Sequence, residues 1–240
     1  MKYLPELLTD LWSLGCYPDL IVRLLQPLHL DSGKIHALDL GCGKGAAAIT
    51  LAHEFGIHVT GIDSCESFLA EARKLSQKYH VSKLCNFELD DIRIYLNKKM
   101  SFDLIIYSSL GPLLGDLGET VGCLRRLIPP DGYIIIDDAF LNKNTPLKRP
   151  GYAHLKSHDE SVNLLLKWGD HLISENQIDT QLTVQMNRTY INSMRKQARK
   201  LTRRIPKIKG EIESYINYQV KECHVIESHL TECIWLLQKK

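Results

Sequence analysis

Apolar positions along the chain alternate between two spacings. Leu4, Leu7, Leu8 and Leu11, then Leu20, Ile21, Leu24, Leu25 and Leu28, recur every three or four residues and predict two helices over 3–14 and 18–29. Short apolar runs follow at 35–40, 57–62, 84–89, 102–107 and 133–136. Each has the length and bounding turns of a strand, and the β-branched run ending at Ile136 suits burial on both faces. Helical spacing fills the gaps at 46–55, 65–80, 92–96 and 117–128. Five strands separated by helices imply an α/β fold with a parallel, doubly wound, Rossmann-like sheet.

Past the fifth strand the pattern changes. Residues 141–151 are polar and proline-bearing, a loop long enough to line a site. A helix over 159–168 stops at Gly169, and strand-like runs recur at 171–178 and 230–237. The segment between these two strands is helical throughout: Met186, Tyr190, Met194, Ala198, Leu201 and Ile205 form one stripe, and Ile208, Ile212, Tyr215 and Ile226 another. Pro206 and Gly210 are expected to divide it. The predicted organisation is N-terminal helices at 1–30, a core at 31–178 and 229–240, and a helical insertion at 179–228.

Composition changes this picture little. At 240 residues, 44% hydrophobic and 24% charged, the chain has an ordinary globular make-up. A net charge of +2 predicts neither a nucleic-acid binder nor an acidic surface. The local exception is the first helix of the insertion, where Arg188, Arg195, Lys196, Arg199, Lys200 and Arg203 stand with no acid between 180 and 210. Seven cysteines without a Cys-x-x-Cys spacing predict reduced thiols and a cytoplasmic location. The N-terminus offers no signal core, and no run approaches a membrane span, so no membrane partner is expected.

The chemistry concentrates at 37–45, where a buried strand empties into Gly41, Gly43 and Gly45. Glycines at every second position permit positive φ and let a ligand approach the backbone. Asp63, Asp91, Ser108 and Asp137 follow later strands, so all lie on the carboxyl edge of the sheet, where such folds bind ligands. Gly41, Gly43 and Ala46 also satisfy a dinucleotide turn, which keeps a nicotinamide cofactor as one alternative.

Asp39 two residues before the first glycine, the helices ahead of the first strand and the terminal strand pair together separate these readings. They resemble the class I S-adenosylmethionine-dependent methyltransferases, whose acidic-x-Gly-x-Gly-x-Gly motif Asp39, Gly41, Gly43 and Gly45 match. The resemblance implies a seven-stranded, mostly parallel sheet with an antiparallel last strand, and S-adenosylmethionine as cofactor. It implies that Asp63 holds the ribose hydroxyls, that Asp91 reads the adenine amino group, and that Ile92 packs on the ring. Cys42, Ser64, Tyr107 and Ser108 fall beside these motifs and complete the expected cofactor set. Pro130, Asp131 and Gly132 replace the family's usual proline-glycine-glycine turn, a mild departure.

The resemblance also places a lid over the acceptor at the helical insertion, with Met186, Tyr190 and Met194 on its inner face. Tyr107 and Asp137 are the other expected acceptor contacts. An acceptor that must lose a proton needs a base near the fourth and fifth strands, and Asp138 and His154 are the candidates. The Asp/Asn-Pro-Pro-aromatic turn of nucleobase methylation is absent, since Ser108, Ser109, Leu110 and Gly111 stand there. Serines in that place also argue against a metal. The expected activity is methyl transfer to a small organic molecule. The alternatives are an RNA-associated methyltransferase docking through 188–209 and an NAD-dependent oxidoreductase. Oligomeric state is not encoded in any of these features.

Overall fold

The architecture is described from a computed structural model, and the described residues are 2–143, 147 and 151–240. The expected loop at 141–151 therefore lies largely outside them. Seven strands form one sheet in the order β3-β2-β1-β4-β5-β7-β6. They are β1 His36–Leu40, β2 His58–Asp63, β3 Cys85–Leu89, β4 Leu104–Ser108, β5 Tyr133–Leu141, β6 His171–Gln177 and β7 Leu230–Gln238. All neighbouring pairs are parallel except those of β7, which runs antiparallel to both β5 and β6. The expected sheet is thus present, with its antiparallel last strand.

The helices are α1 Leu4–Leu7, α2 Pro18–Leu25, α3 Ala46–Phe55, α4 Glu66–Lys78, α5 Ile92–Tyr95, α6 Leu117–Leu124, α7 His158–Leu165, α8 Thr180–Arg204 and α9 Lys209–His229. Small residues let α3 pack tightly: Ala46, Ala47, Ala48 and Ala52 are all buried. Asp116 and Ser157 start α6 and α7 with reciprocal capping boxes to Glu119 and Glu160.

Two apolar cores cover the two faces of the sheet. One gathers α2, α3 and α4 against alternate strand residues such as Ile106, Ile135 and Ile234; the other gathers α5, α6 and α7 against Ile105, Tyr107 and Trp235. A third cluster is separate. There Ile191, Met194, Leu201, Ile212 and Ile216 of α8 and α9 pack on Leu7 and Leu8 and on Phe68 of α4.

Three expectations are corrected. The first predicted helix is only four residues long, and beyond it the chain turns through Leu14 and Gly15, both with positive φ. Asp137 and Asp138 lie within β5 rather than after it. β4 ends opposite Asp137, but β7 pairs with β5 as far as Leu141, so the strand continues past its parallel neighbour. Pro206 alone marks the break in the helical insertion, through a short 3-10 turn, while Gly210 lies inside α9. Proline lacks the N–H and clashes with the preceding turn, whereas glycine only weakens a helix.

Candidate active site

The β1 strand delivers Asp39 and Leu40 to the carboxyl edge and then turns through Gly41, Gly43 and Gly45, with φ of +69°, +52° and +74°. A side chain at any of the three would be strained, and at Gly41 its Cβ would lie 2.4 Å from Leu110 Cδ2. Two carboxylates hold this turn. Asp63 Oδ2 accepts from the Gly43 N–H at 2.8 Å, and Oδ1 accepts from the Cys65 N–H at 2.8 Å. Asp39 accepts from the Ala48 N–H at 3.2 Å, and burial pushes its carboxyl up to about 7. The first amides of α3, which a phosphate would otherwise find unpaired, are therefore partly committed to acids.

Lys44 is the one cation of the turn, and it points away. Its ammonium, 1% exposed, donates to the Leu8 carbonyl at 2.7 Å and pairs with Glu71 at 2.8 Å. The Trp12 indole N–H donates to the Lys44 carbonyl at 3.1 Å. The segment after α1 is thereby strapped across the glycine turn. A cavity of about 100 Å³ remains under the strap, bordered by Asp39, Gly41, Gly43, Asp63, Leu14 and Leu110.

A second cavity of about 480 Å³ opens beside it, under α8 and α9. Leu14, Ser109 and Leu110 border both cavities, so the two meet there. Leu14 and Ser109 have φ of +44° and +57°, a conformation costing about 1–2 kcal/mol for each such residue. Asp137 lies at this junction. It accepts from Ser108 Oγ at 2.5 Å, and burial raises its carboxyl to about 8. Farther in, His154 Nε2 stands 3.9 Å from Asp138 Oδ2, with both side chains 13% exposed. Neither His154 ring nitrogen has a hydrogen-bond partner among the described residues. Burial lowers the His154 pKa and raises that of Asp138 to about 6. The two are largely enclosed and adjacent; Asp138 accepts from the Ala139 N–H at 2.8 Å, and the imidazole left without a partner among the described residues suits proton transfer.

The structure brings Asp39, Gly41, Cys42, Gly43 and Asp63 to the smaller cavity, and Ser108 borders it too. Cys42 is buried, and a side chain on Gly61 would meet its sulfur at 2.8 Å, so it fills the turn. Gly45 caps α3 against Phe87. Asp91 stands at the start of α5 and is ion-paired with Arg93 at 2.6 Å; Ser64 and Ile92 likewise lie outside both cavities. Asp137, Asp138, His154, Met186 and Tyr190 line the larger cavity. Two expected acceptor contacts are corrected. Tyr107 points to the opposite face of the sheet and donates to the Gly111 carbonyl at 3.0 Å, because side chains alternate along β4. Met194 is fully buried against α1 and Phe68.

Sequence reasoning missed Leu14, Ser109, Leu110 and Glu232. The last had a signal: an acid inside the apolar run of β7. It accepts from Tyr17 Oη at 3.0 Å and Thr183 Oγ1 at 2.5 Å, tying α2 and α8 to the sheet. Among the described residues, no cluster of three or more His, Cys, Asp or Glu could hold a metal ion, and no helix is long and apolar enough to cross a membrane. The cations of α8 lie on its exposed face, where Lys196 pairs with Asp10 and Arg204 with Glu6.

Known proteins share both the pattern and the shape. Residues 31–198 match the family described as "Methyltransferase domain". The 2-methyl-6-phytyl-1,4-hydroquinone methyltransferase of Synechocystis is 30% identical over 101 residues, 42% of this chain and 31% of that protein. The ubiquinone biosynthesis O-methyltransferase of Neisseria meningitidis is 27% identical over 157 residues, 61% of this chain and 62% of that one. The chain thus spans less than two thirds of these curated relatives. A methyltransferase structure from Thiobacillus denitrificans, solved with S-adenosyl-L-homocysteine, superimposes with a TM-score of 0.84 at 18% identity, covering 100% of this chain and 99% of that one. At that identity the likeness is one of fold.

Proposed function

The chain belongs to the methyltransferase-domain family, and from that premise we propose that it transfers the methyl group of S-adenosylmethionine to a small organic molecule held under α8 and α9. The observation that carries this reading is the meeting of the two cavities at Leu14, Ser109 and Leu110. A donor in one and an acceptor in the other would face each other across that junction.

The residues of the smaller cavity fit a phosphate-free adenosyl cofactor better than a dinucleotide. Asp39 and Asp63 place carboxyl groups at the turn, and Lys44, the one cation in its sequence, is turned inward to Glu71. A pyrophosphate would find repulsion, whereas a ligand with a sulfonium and an ammonium would find attraction. Gly41 and Gly43 would admit its methionine portion, and the remaining lone pairs of Asp63 would accept from its ribose hydroxyls. Leu14 and Leu110 stand over the glycines and must move aside to seat it. When bound, the cofactor supplies an activated methyl group.

The chain's own contribution is then placement, exclusion of water and proton removal. The strap and α8 enclose the junction. His154, kept neutral by burial, would take the acceptor's proton, and Asp138 would offset the resulting imidazolium charge. The hydroquinone and ubiquinone relatives support a small, partly apolar acceptor. Seven free thiols support a reducing, cytoplasmic setting.

Titration calorimetry with S-adenosylhomocysteine and with NADH tests the reading. Binding of the first and not the second is expected. NADH binding without S-adenosylhomocysteine binding would overturn it in favour of an oxidoreductase.

A further inference from the structure

We propose that the atom methylated is a basic nitrogen, so that the larger cavity selects amines by the carboxylates of Asp137, Asp138 and Glu232. This rests on the reading of that cavity as the acceptor site.

The three acids approach it from two strands. Asp137 and Glu232 share a face, because Glu232 lies opposite Ala139 on β7 and side chains two apart on β5 point the same way. Asp138 projects to the other side, toward His154. Among the described residues lining the cavity none is lysine or arginine, while four are acids, Asp137, Asp138, Glu222 and Glu232, beside one histidine, His154. The carboxyls of Asp137, Asp138 and Glu232 are all raised, by burial first, so a cation brought into the cavity would favour their ionised forms. Met186, Leu155, Ile226 and Leu230 give the remaining wall an apolar character, and Tyr190 adds an aromatic ring to it.

The direction in which charge develops separates an amine from a hydroxyl. A hydroxyl acceptor moves toward an oxyanion, whose charge an ionised carboxylate cannot stabilise. An amine nitrogen acquires positive charge as it is methylated, which the same acids stabilise in place. In the balanced step the ammonium loses one proton to His154 Nε2. The freed nitrogen lone pair forms the new N–C bond, and the donor's S–C bond breaks with its electron pair left on sulfur.

The test uses matched sets of a primary amine, the corresponding alcohol and the corresponding carboxylate, built on phenylethyl, cyclohexylethyl, indolylethyl and octyl frames. Each is titrated by calorimetry into the protein loaded with S-adenosylhomocysteine. At least one amine is expected to bind 10-fold or more tightly than its alcohol and its carboxylate. Asp137→Asn and Asp138→Asn should each reduce that preference, and retained S-adenosylhomocysteine affinity shows that the variant is folded. If a variant loses that affinity, the wild-type preference decides alone. Alcohols or carboxylates that bind as tightly as the amines, or no amine binding to the loaded protein, would overturn the inference. Failure to bind S-adenosylhomocysteine would instead remove the function on which it rests.

Discussion

The two cavities are neighbours with opposite polar habits. Around the smaller one, ionic groups are spoken for: Asp63 has a backbone N–H on each oxygen, Asp39 holds the start of α3, and Lys44 has both a carbonyl and a carboxylate. Around the larger one, Asp137 and Glu232 also have hydroxyl donors, but among the described residues His154 has no hydrogen-bond partner and Asp138 accepts from its neighbour's amide alone, at 2.8 Å. Satisfied groups hold a shape, and unsatisfied buried groups are poised to exchange protons or meet a ligand. The contrast assigns holding to the first cavity and chemistry to the second.

Substitutions can break this contrast at either end. The largest effect is expected from Lys44→Ala, which leaves Glu71 and the Leu8 carbonyl without their buried cation. Urea denaturation should show a loss of about 3 kcal/mol, and an unchanged midpoint would mean that the strap is not held by this contact. Next is His154→Ala. Methyl transfer should fall about 100-fold while S-adenosylhomocysteine affinity, read by calorimetry, stays within about twofold. A matching loss of affinity would place His154 with the holding groups.

Asp63→Ala should weaken S-adenosylhomocysteine by at least about 1 kcal/mol, since a hydrogen bond to a charged acceptor is removed and Gly43 loses its anchor. Unaltered affinity would remove Asp63 from the cofactor site. Stability should also depend on pH with a definite sign. The carboxyls of Asp39, Asp137 and Asp138 are raised to about 7, 8 and 6, all by burial first. The folded chain therefore holds more protons than the unfolded one between about pH 4 and pH 8. Their contribution is full below the unfolded carboxylate range and declines as pH rises through the folded values, with a slope of at most about 1.4 kcal/mol per pH unit for each group. Denaturation curves from pH 4.5 to pH 8.5 should show this decline, and Asp137→Asn should flatten its upper part. A curve unchanged by that variant would mean that Asp137 is ionised throughout. The smallest effect is expected on the outer face of α8. Joint replacement of Arg195, Arg199 and Arg203 by Gln should leave stability within about 0.5 kcal/mol and small-molecule methylation intact. A loss of tight, salt-dependent RNA binding in that variant would instead revive an RNA-associated role.

The smaller cavity was largely legible in the sequence because its parts are close in the chain. Asp39, Gly41, Gly43 and Gly45 are one strand and its turn, and Asp63 ends the adjacent strand in parallel register, with Leu40 opposite Ile62. The larger cavity joins β5, the segment around His154, α8, α9 and β7. No local pattern records those distances. Met186, Tyr190 and Met194 illustrate the limit: all belong to one apolar stripe, yet two turns of helix carry Met194 about 12 Å beyond Met186, from the cavity onto α1.

Sequence alone thus determined the seven strands, their alternation with helices and the glycine turn, because period, β-branching and glycine act within a few residues. It also determined that acids would gather at one edge, since Asp39 and Asp63 stand at the ends of their strands and Asp91 follows a third. Tertiary structure decided which way those acids face, that Lys44 turns inward, and that β7 extends β5 far enough to bring Asp138 beside His154. Those outcomes depend on strand register and on competition for buried partners between segments far apart in the chain, and neither is written in any one segment.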